Sequence, residues 1–248
     1  HQILRCVVAQ LSKRTMMDQF MEIKHEHPGT ILFFRMGDFY ELFHEDAEIA
    51  APVLGLALTS RDKNAENPIP MAGFPWHALE DNLKIMLKSG FKVTVAEQEQ
   101  ELREGAKLLE RVVTRIYTPG SLYEESLLST DDRSVLSSII LAKSSLSMAI
   151  IDSSTGESWA STWDGDARFS SLEDELLRWN PAEIVISKKD SENEQLCAIF
   201  ANLGNCVISQ HNANKRRSVE RLETMLEVSD LGHLDLDGSP LSIEAAGF

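Results

Sequence analysis

The spacing of apolar and polar positions divides the chain into short segments. Met16-Met17-Asp18-Gln19-Phe20-Met21-Glu22-Ile23 carries apolar residues at helical spacing, and His27-Pro28-Gly29 stops the helix it predicts. Thr30-Ile31-Leu32-Phe33-Phe34 is a β-branched and aromatic run suited to a buried strand. Met36-Gly37-Asp38 breaks that run. The pattern beyond it predicts a second helix from about Phe39 to Leu54, with Asp38 as N-cap. Leu56-Ala57-Leu58-Thr59 reads as another strand, and Arg61 to Pro75, with three prolines, one glycine and little periodicity, as a loop. Ala78 to Lys88 is helical, Phe91 to Ala96 a strand, Glu97 to Leu109 a charged helix and Val112 to Tyr117 a strand before the turn Thr118-Pro119-Gly120.

Beyond that turn the pattern changes. Val135 to Ala142, Ser147 to Ile151 and Glu157 to Thr162 read as consecutive strands, with turns at Ser144-Ser145 and Asp152–Gly156. A helix from about Leu172 to Trp179, capped by Ser170 or Ser171, stops at Asn180-Pro181. Ile184 to Ile186 is a strand, Glu192 to Leu203 a helix, Cys206 to Ile208 a strand and Val219 to Glu227 a helix. Three strands followed by alternating helix and strand predict an α/β sheet with a mixed edge. The boundary falls near Pro119-Gly120, giving domains at 1–120 and 121–248, each long enough to bury its own core.

Charge alters this picture in one respect. A net charge of −15 argues against nucleic acid, whose phosphates demand Lys and Arg. Residues 1–120, however, hold 14 Lys+Arg against 17 Asp+Glu, a net of −3, while residues 121–248 hold 10 against 22, a net of −12. The first half retains the means to build a basic face; the second reads as a solvated spacer or a protein-docking module. No apolar run approaches the roughly 18–20 residues that span a bilayer. The start lacks an initiator Met and a signal-peptide pattern, which suggests a fragment boundary. Cys6, Cys197 and Cys206 form no CxxC pair and read as reduced thiols of a cytoplasmic protein.

A search for catalytic patterns finds little. None of the 13 glycines opens a GxxxxGK[ST] loop, so hydrolysis of ATP by that route is not expected, and there is no HExxH, GxSxG or zinc-type cluster. Asp152, Glu173, Asp174 and Asp235 could be assembled into a two-metal nuclease site, but without a motif they read as solvated surface acids.

The informative stretch is Phe33-Phe34-Arg35-Met36-Gly37-Asp38-Phe39-Tyr40-Glu41-Leu42-Phe43. It resembles the FxRMGDFYELF block of MutS mismatch recognition domains. The resemblance extends through Thr15-Met16-Met17, Leu58-Thr59-Ser60-Arg61, Pro68-Ile69-Pro70-Met71-Ala72-Gly73-Phe74-Pro75-Trp76-His77-Ala78, Glu97-Gln98 and Arg115-Ile116-Tyr117-Thr118-Pro119-Gly120. One ungapped register holds from Thr15 to Gly120. The second half resembles the family's connector in pattern more than in identities. The fold so implied is a mixed-sheet α/β recognition domain followed by a ribonuclease-H-like α/β connector. Two departures stand out: Ala96-Glu97-Gln98 runs into Glu99-Gln100-Glu101-Leu102 where the family has a Gly-Asp-Pro loop, and Thr15 replaces the usual Pro.

The physics of the block is intelligible by itself. A mismatched base is poorly stacked, so an aromatic wedge enters that step more cheaply than at a normal pair. The resemblance implies that Phe39 is the wedge and Glu41 its hydrogen-bonding partner. It further implies Met36 as a groove contact, Pro70 and Met71 on a minor-groove loop, and Arg61 and Arg111 as phosphate contacts. The plainer alternative makes Phe39, Tyr40, Leu42 and Phe43 the apolar face of a helix; Tyr40 and Phe43 are read as core on either account. Mismatched double-stranded DNA and a MutL-like repair protein are the implied partners, with homodimerisation, ATP and Mg²⁺ belonging to the family's clamp and ATPase domains. A competing expectation is a protein-interaction fragment whose acidic connector docks the MutL-like partner without reading DNA.

Overall fold

The computed structural model describes residues 15–61, 66–99, 109–121 and 134–211, together with 220, 223–224 and 245–246. The chain divides into two compact units between Tyr117 and Thr118.

In the first unit, helix α1 (Met16–Glu26) opens on a capping box: the Thr15 hydroxyl accepts the Asp18 N–H at 3.1 Å, and the Asp18 carboxylate accepts the Thr15 N–H at 2.8 Å. Its buried residues, Met16, Gln19, Phe20 and Ile23, follow helical spacing. Strand β1 (Ile31–Met36) follows, as the apolar run predicts.

The expected helix from Phe39 does not begin there. Phe39–Phe43 is strand β2, paired antiparallel with β1 in the register Met36↔Phe39, Arg35↔Tyr40, Phe34↔Glu41. The cause is the turn. Gly37 lies at φ +59°, a left-handed conformation open to glycine, and Asp38 is not among the positive-φ residues. A positive φ at the first central position alone is the type II′ pattern, whose twist matches that of paired strands. Asp38 is therefore a turn residue, not an N-cap. Helix α2 (His44–Leu54) starts after Phe43 with no side-chain cap, the chain bending into it at His44, φ 54°.

Two further corrections concern the stretch after α2. Strand β3 (Thr59–Arg61) begins at Thr59, not at Leu56. The supposed loop contains strand β4 (Ile69–Pro75), which pairs with both β2 and β3. Its prolines concealed it. Pro70 lies one position beyond the last β2 partner and Pro75 is the final residue, so both fall at the ends of the β2–β4 ladder, while Pro70 stands opposite Ser60 in the short β3–β4 ladder. A 3₁₀ turn (Trp76–Ala78) leads to helix α3 (Leu79–Lys88), then to β5 (Val93–Gln98) and β6 (Arg111–Tyr117). Glu97 and Gln98 thus belong to β5, not to a helix; the rest of the expected 97–109 helix lies almost wholly outside the described residues.

The sheet order is β3-β4-β2-β1-β5-β6, with only the β1–β5 pair parallel. Helix α1 covers part of one face, where Phe20 meets Phe34 and Phe43 edge-on at 5.6 and 5.2 Å. Tyr40, Phe33 and Phe74 pack together, with Phe33 and Phe74 4.9 Å apart.

In the second unit, β7 (Val135–Leu141), β8 (Ser145–Asp152) and β9 (Ser158–Asp164) form an antiparallel meander, and β10 (Glu183–Ile186) and β11 (Val207–Gln210) add in parallel beside β7. The order β11-β10-β7-β8-β9 is the mixed sheet read from the alternation. Helix α4 (Arg168–Trp179) starts earlier than expected. Neither Ser170 nor Ser171 caps it; the Ser170 hydroxyl donates to Ala167 O within the first turn. The expected 192–203 helix is instead α5 (Lys188–Ser191) and α6 (Glu194–Phe200), separated because the Asn193 carboxamide oxygen caps α6 through the Gln195 and Leu196 N–H groups. The helix expected at 219–227 lies outside the described residues, apart from Glu220, Glu223 and Thr224.

Candidate nucleic-acid interface

Cross-strand register decides which side chains share a face. Met36, Phe39 and Pro75 lie in one row across β1, β2 and β4, and Phe34, Glu41 and Gly73 in the next row on that face. Farther along, Phe43, Met71 and Thr59 share a row, and Arg61 pairs with Ile69 beyond it. Phe39, Glu41, Met36, Met71 and Arg61 are therefore brought to one face of the sheet. Pro70, one step from Met71, alternates to the other.

Phe39 is 44% exposed, whereas its neighbour Tyr40 is 1% exposed. An isolated exposed Phe needs no explanation. Here, though, the ring stands on the first residue after a two-residue turn, in a strand whose other aromatics, Tyr40 and Phe43, fill the core. On the same face Leu32, Phe34 and Phe43 pack with α1, and Met36, the cross-strand partner of Phe39, packs against that cluster.

Glu41 is half-buried over Gly73. A Cβ placed on Gly73 would lie 2.3 Å from Glu41 Oε2 and 3.0 Å from the Tyr40 carbonyl oxygen, so the carboxylate occupies the space a side chain would take. Burial raises the Glu41 carboxyl above its ordinary value, and the positive charge of Arg61 opposes that shift. Arg61 also points Nη1 at Met16 Sδ, 4.0 Å away. Met36 and Met71 are half-buried, each packed against the core beneath α1.

Arg111 is held inside the fold. Nε donates to Arg35 O at 3.2 Å, Nη1 to Leu109 O at 2.8 Å and Gln19 Oε1 at 3.4 Å, and Nη2 to Gln98 Oε1 at 3.0 Å. Its guanidinium lies over the Phe34 ring, 5.3 Å from the centroid, and burial pulls its pKa down. On the opposite face, the Tyr40 hydroxyl donates to Glu97, and the Arg35 guanidinium lies over the Tyr40 and Trp76 rings at 5.3 and 5.2 Å. Burial and then the Glu97 carboxylate push the Tyr40 phenol upward, so it stays a neutral donor. The Trp76 N–H closes on Asp38 O at 2.9 Å, tying the turn to β4.

Sequence reasoning missed Gly73, Gln98 and the Tyr40–Glu97 contact. Gly73 carried one usable signal, since a glycine within a strand marks a close approach. The other contacts join residues far apart in the chain. Among the described residues, no three His, Cys, Asp or Glu side chains gather to hold a metal ion. Asp152 is fully buried, its Oδ1 accepting the Ser154 N–H at 3.0 Å to close its own turn. Cys197 and Cys206 are free thiols. No helix among the described residues is long and apolar enough to cross a membrane.

Two mixed α/β units, one with an aromatic ring displayed on a tight hairpin, define the class of fold and site. The MutS domain I family model matches residues 14–126, and the MutS domain II model matches residues 134–248. The chain is 33% identical over 239 residues to the DNA mismatch repair protein MutS of Caldanaerobacter subterraneus subsp. tengcongensis, covering 96% of this chain and 27% of the relative. Against the protein of that name from Syntrophomonas wolfei it is 42% identical over 176 residues (71% and 20%), and from Dehalococcoides mccartyi 38% over 231 residues (92% and 26%). The chain belongs to the MutS family. It spans about a quarter of the length of these relatives.

Proposed function

We propose that the first unit reads mismatched double-stranded DNA by inserting the Phe39 ring at a poorly stacked step, with Glu41 as hydrogen-bonding partner to the displaced base. The observation that carries this reading is the exposed Phe39 ring on the hairpin, beside a fully buried Tyr40. Unstacking a step costs a few kcal/mol, and stacking on an aromatic returns roughly 1–3 kcal/mol, so the preference arises from how much less a mismatch costs to open. Met36, Met71 and Arg61 share the face and line the approach; Pro70 stiffens β4 behind it. The relatives' shared name, DNA mismatch repair protein MutS, agrees with this assignment. ATP and Mg²⁺ chemistry and homodimerisation are assigned to domains other than the two matched here, and the cytoplasm is the proposed setting.

The test is a low-salt titration of the chain against two duplexes that differ only in one mismatched pair. Tighter binding to the mismatched duplex supports the reading. Equal binding to both removes it. The second reading, a docking module for a MutL-like protein, is favoured by the net charge of −12 in residues 121–248. Capture of a MutL-like protein by a chain that binds neither duplex would decide for it.

Glu41 supplies a pH dependence. Its carboxyl titrates above the ordinary glutamate range because of burial, so it takes up a proton sooner as pH falls. Protonation removes a negative charge facing DNA and adds an O–H donor. Mismatch affinity should therefore rise as pH falls through that raised pKa and decline as pH rises through it. Glu41→Gln, uncharged and a donor throughout, should bind more tightly at neutral pH and lose this dependence. Binding curves with the same pH profile for both proteins would contradict the role.

Gly73→Ala tests the carboxylate's placement. The chain should fold, since the closest atoms belong to the end of the flexible Glu41 side chain and the Tyr40 carbonyl needs to give only slightly, but the mismatched-to-matched affinity ratio should fall by roughly tenfold, about one hydrogen bond to a charged or polar partner. An unchanged ratio would show that Glu41 has no fixed position to lose.

A further inference from the structure

We infer that Arg111, acting through Gln98, is a positioning residue that braces the β1–β2 hairpin behind Phe39, and is not a phosphate contact. This rests on the wedge reading of Phe39. Arg35 and Gly37 flank Met36 at the point where β1 enters its turn. Arg111 Nε holds the Arg35 carbonyl at 3.2 Å. Gln98 Oε1 accepts from Gly37 N–H at 3.3 Å and from Arg111 Nη2 at 3.0 Å, so one carboxamide oxygen couples the turn to the guanidinium. Nη1 is anchored in turn on Leu109 O at 2.8 Å and on Gln19 Oε1 of α1 at 3.4 Å. These bonds commit four of the five guanidinium N–H donors inside the unit, and the plane rests on Phe34.

A guanidinium in that state has little left to offer a phosphate. It does have a use at the hairpin. Inserting a ring into a base stack costs less when the ring's support is already ordered, so that binding does not have to order it. The bulge between Val95 and Ala96 brings Gln98 and Arg111 into one row beside the end of β1, which is what lets two separate strands reach the same turn. Lysine cannot substitute, because a point ammonium cannot hold carbonyl, carboxamide and ring at once.

The test measures affinity for mismatched and matched duplexes across a salt series for Arg111→Met, Arg111→Lys and Gln98→Leu, each also made with Phe39→Ala. Circular dichroism melts run alongside. The expected result is a loss of roughly five- to tenfold in mismatched affinity with Arg111→Met or Gln98→Leu, and no further loss when Phe39 is already Ala. The salt dependence should keep its slope, whereas losing a phosphate contact flattens log K against log salt by about 0.9. Gln98→Glu, which keeps the acceptor oxygen, should retain the mismatched-to-matched ratio. Gln98→Leu carries the test if the arginine variants melt early. A flattened slope with an unchanged ratio, or an equal loss in the Phe39→Ala background, overturns the brace. If Phe39→Ala itself leaves the ratio intact, the wedge reading fails and the brace with it; if Phe39→Ala removes the ratio and Arg111→Met does not, only the brace fails.

Discussion

Phe39→Ala should bring the affinity for a mismatched duplex down to that for a matched one. The ring is 44% exposed in the free chain, so removing it withdraws little from the core and should leave the melting temperature nearly unchanged. What is lost is the stacking contribution, roughly 1–3 kcal/mol per base, or about fivefold to somewhat over a hundredfold in mismatched affinity. Matched affinity, set by phosphate contacts, should hardly move. Phe39→Trp keeps a stacking face and should retain a preference. The measurement is a pair of equilibrium titrations at one salt concentration, accompanied by a thermal melt to confirm the fold.

The largest effect on stability should come from Asp46→Ala. Where the β1–β2 ladder has ended at Phe34–Glu41, the Leu32 N–H is taken by Asp46 Oδ2 at 2.9 Å, and Oδ1 pairs with Lys24 Nζ at 2.8 Å. Asp46 is 4% exposed and Leu32 fully buried. Burial raises the Asp46 carboxyl above its ordinary value, against the opposing pull of the Lys24 ammonium and the Leu32 N–H, so the pair as a whole is not a strong stabiliser. Because the folded value is raised, this group's stability contribution is present below its unfolded pKa and is lost as pH rises through the folded one. Removing the carboxylate is another matter. It leaves the Leu32 N–H buried without its acceptor and Lys24 beside an empty site, a cost of about 2–4 kcal/mol. Asp46→Asn keeps an acceptor and should cost less. Urea unfolding of both variants checks the ranking; equal stability of Asp46→Ala and wild type would contradict it.

Phe39 and Glu41 stand out in the sequence as candidates because their block resembles a known family and because an aromatic beside Gly37-Asp38 has a physical use. Their secondary structure does not follow from the pattern alone. Five residues, Phe39-Tyr40-Glu41-Leu42-Phe43, satisfy both periods, since Leu42 and Phe43 are buried in succession where β2 bends into α2. Asp38 also stands where an N-cap would. Gly followed by Asp is a weaker hairpin signal than Asp followed by Gly, so the turn that settles the matter was easy to overlook. Strand β4 is concealed by its prolines, which the β2–β4 ladder tolerates because they fall at or beyond its ends.

What could not be read at all depends on register. Gly73 under Glu41, and Gln98 between Gly37 and Arg111, are neighbours only after six strands have aligned in the order β3-β4-β2-β1-β5-β6. Arg111 taken alone is a surface-type cation and invites a phosphate. Its donors reveal a different occupation only when Arg35 O, Leu109 O, Gln19 and Gln98 are seen around it.

Entry of the Phe39 ring into the base stack is directly observable. A duplex carrying a fluorescent adenine analogue next to a mismatched pair tests it directly, because emission from such a base rises when its stacking is broken. Wild-type chain should raise the emission at the mismatched site and leave it unchanged on the matched duplex, while Phe39→Ala at saturating concentration should raise neither. An equal rise with Phe39→Ala, or no rise with a wild-type chain that still prefers the mismatch, would contradict it.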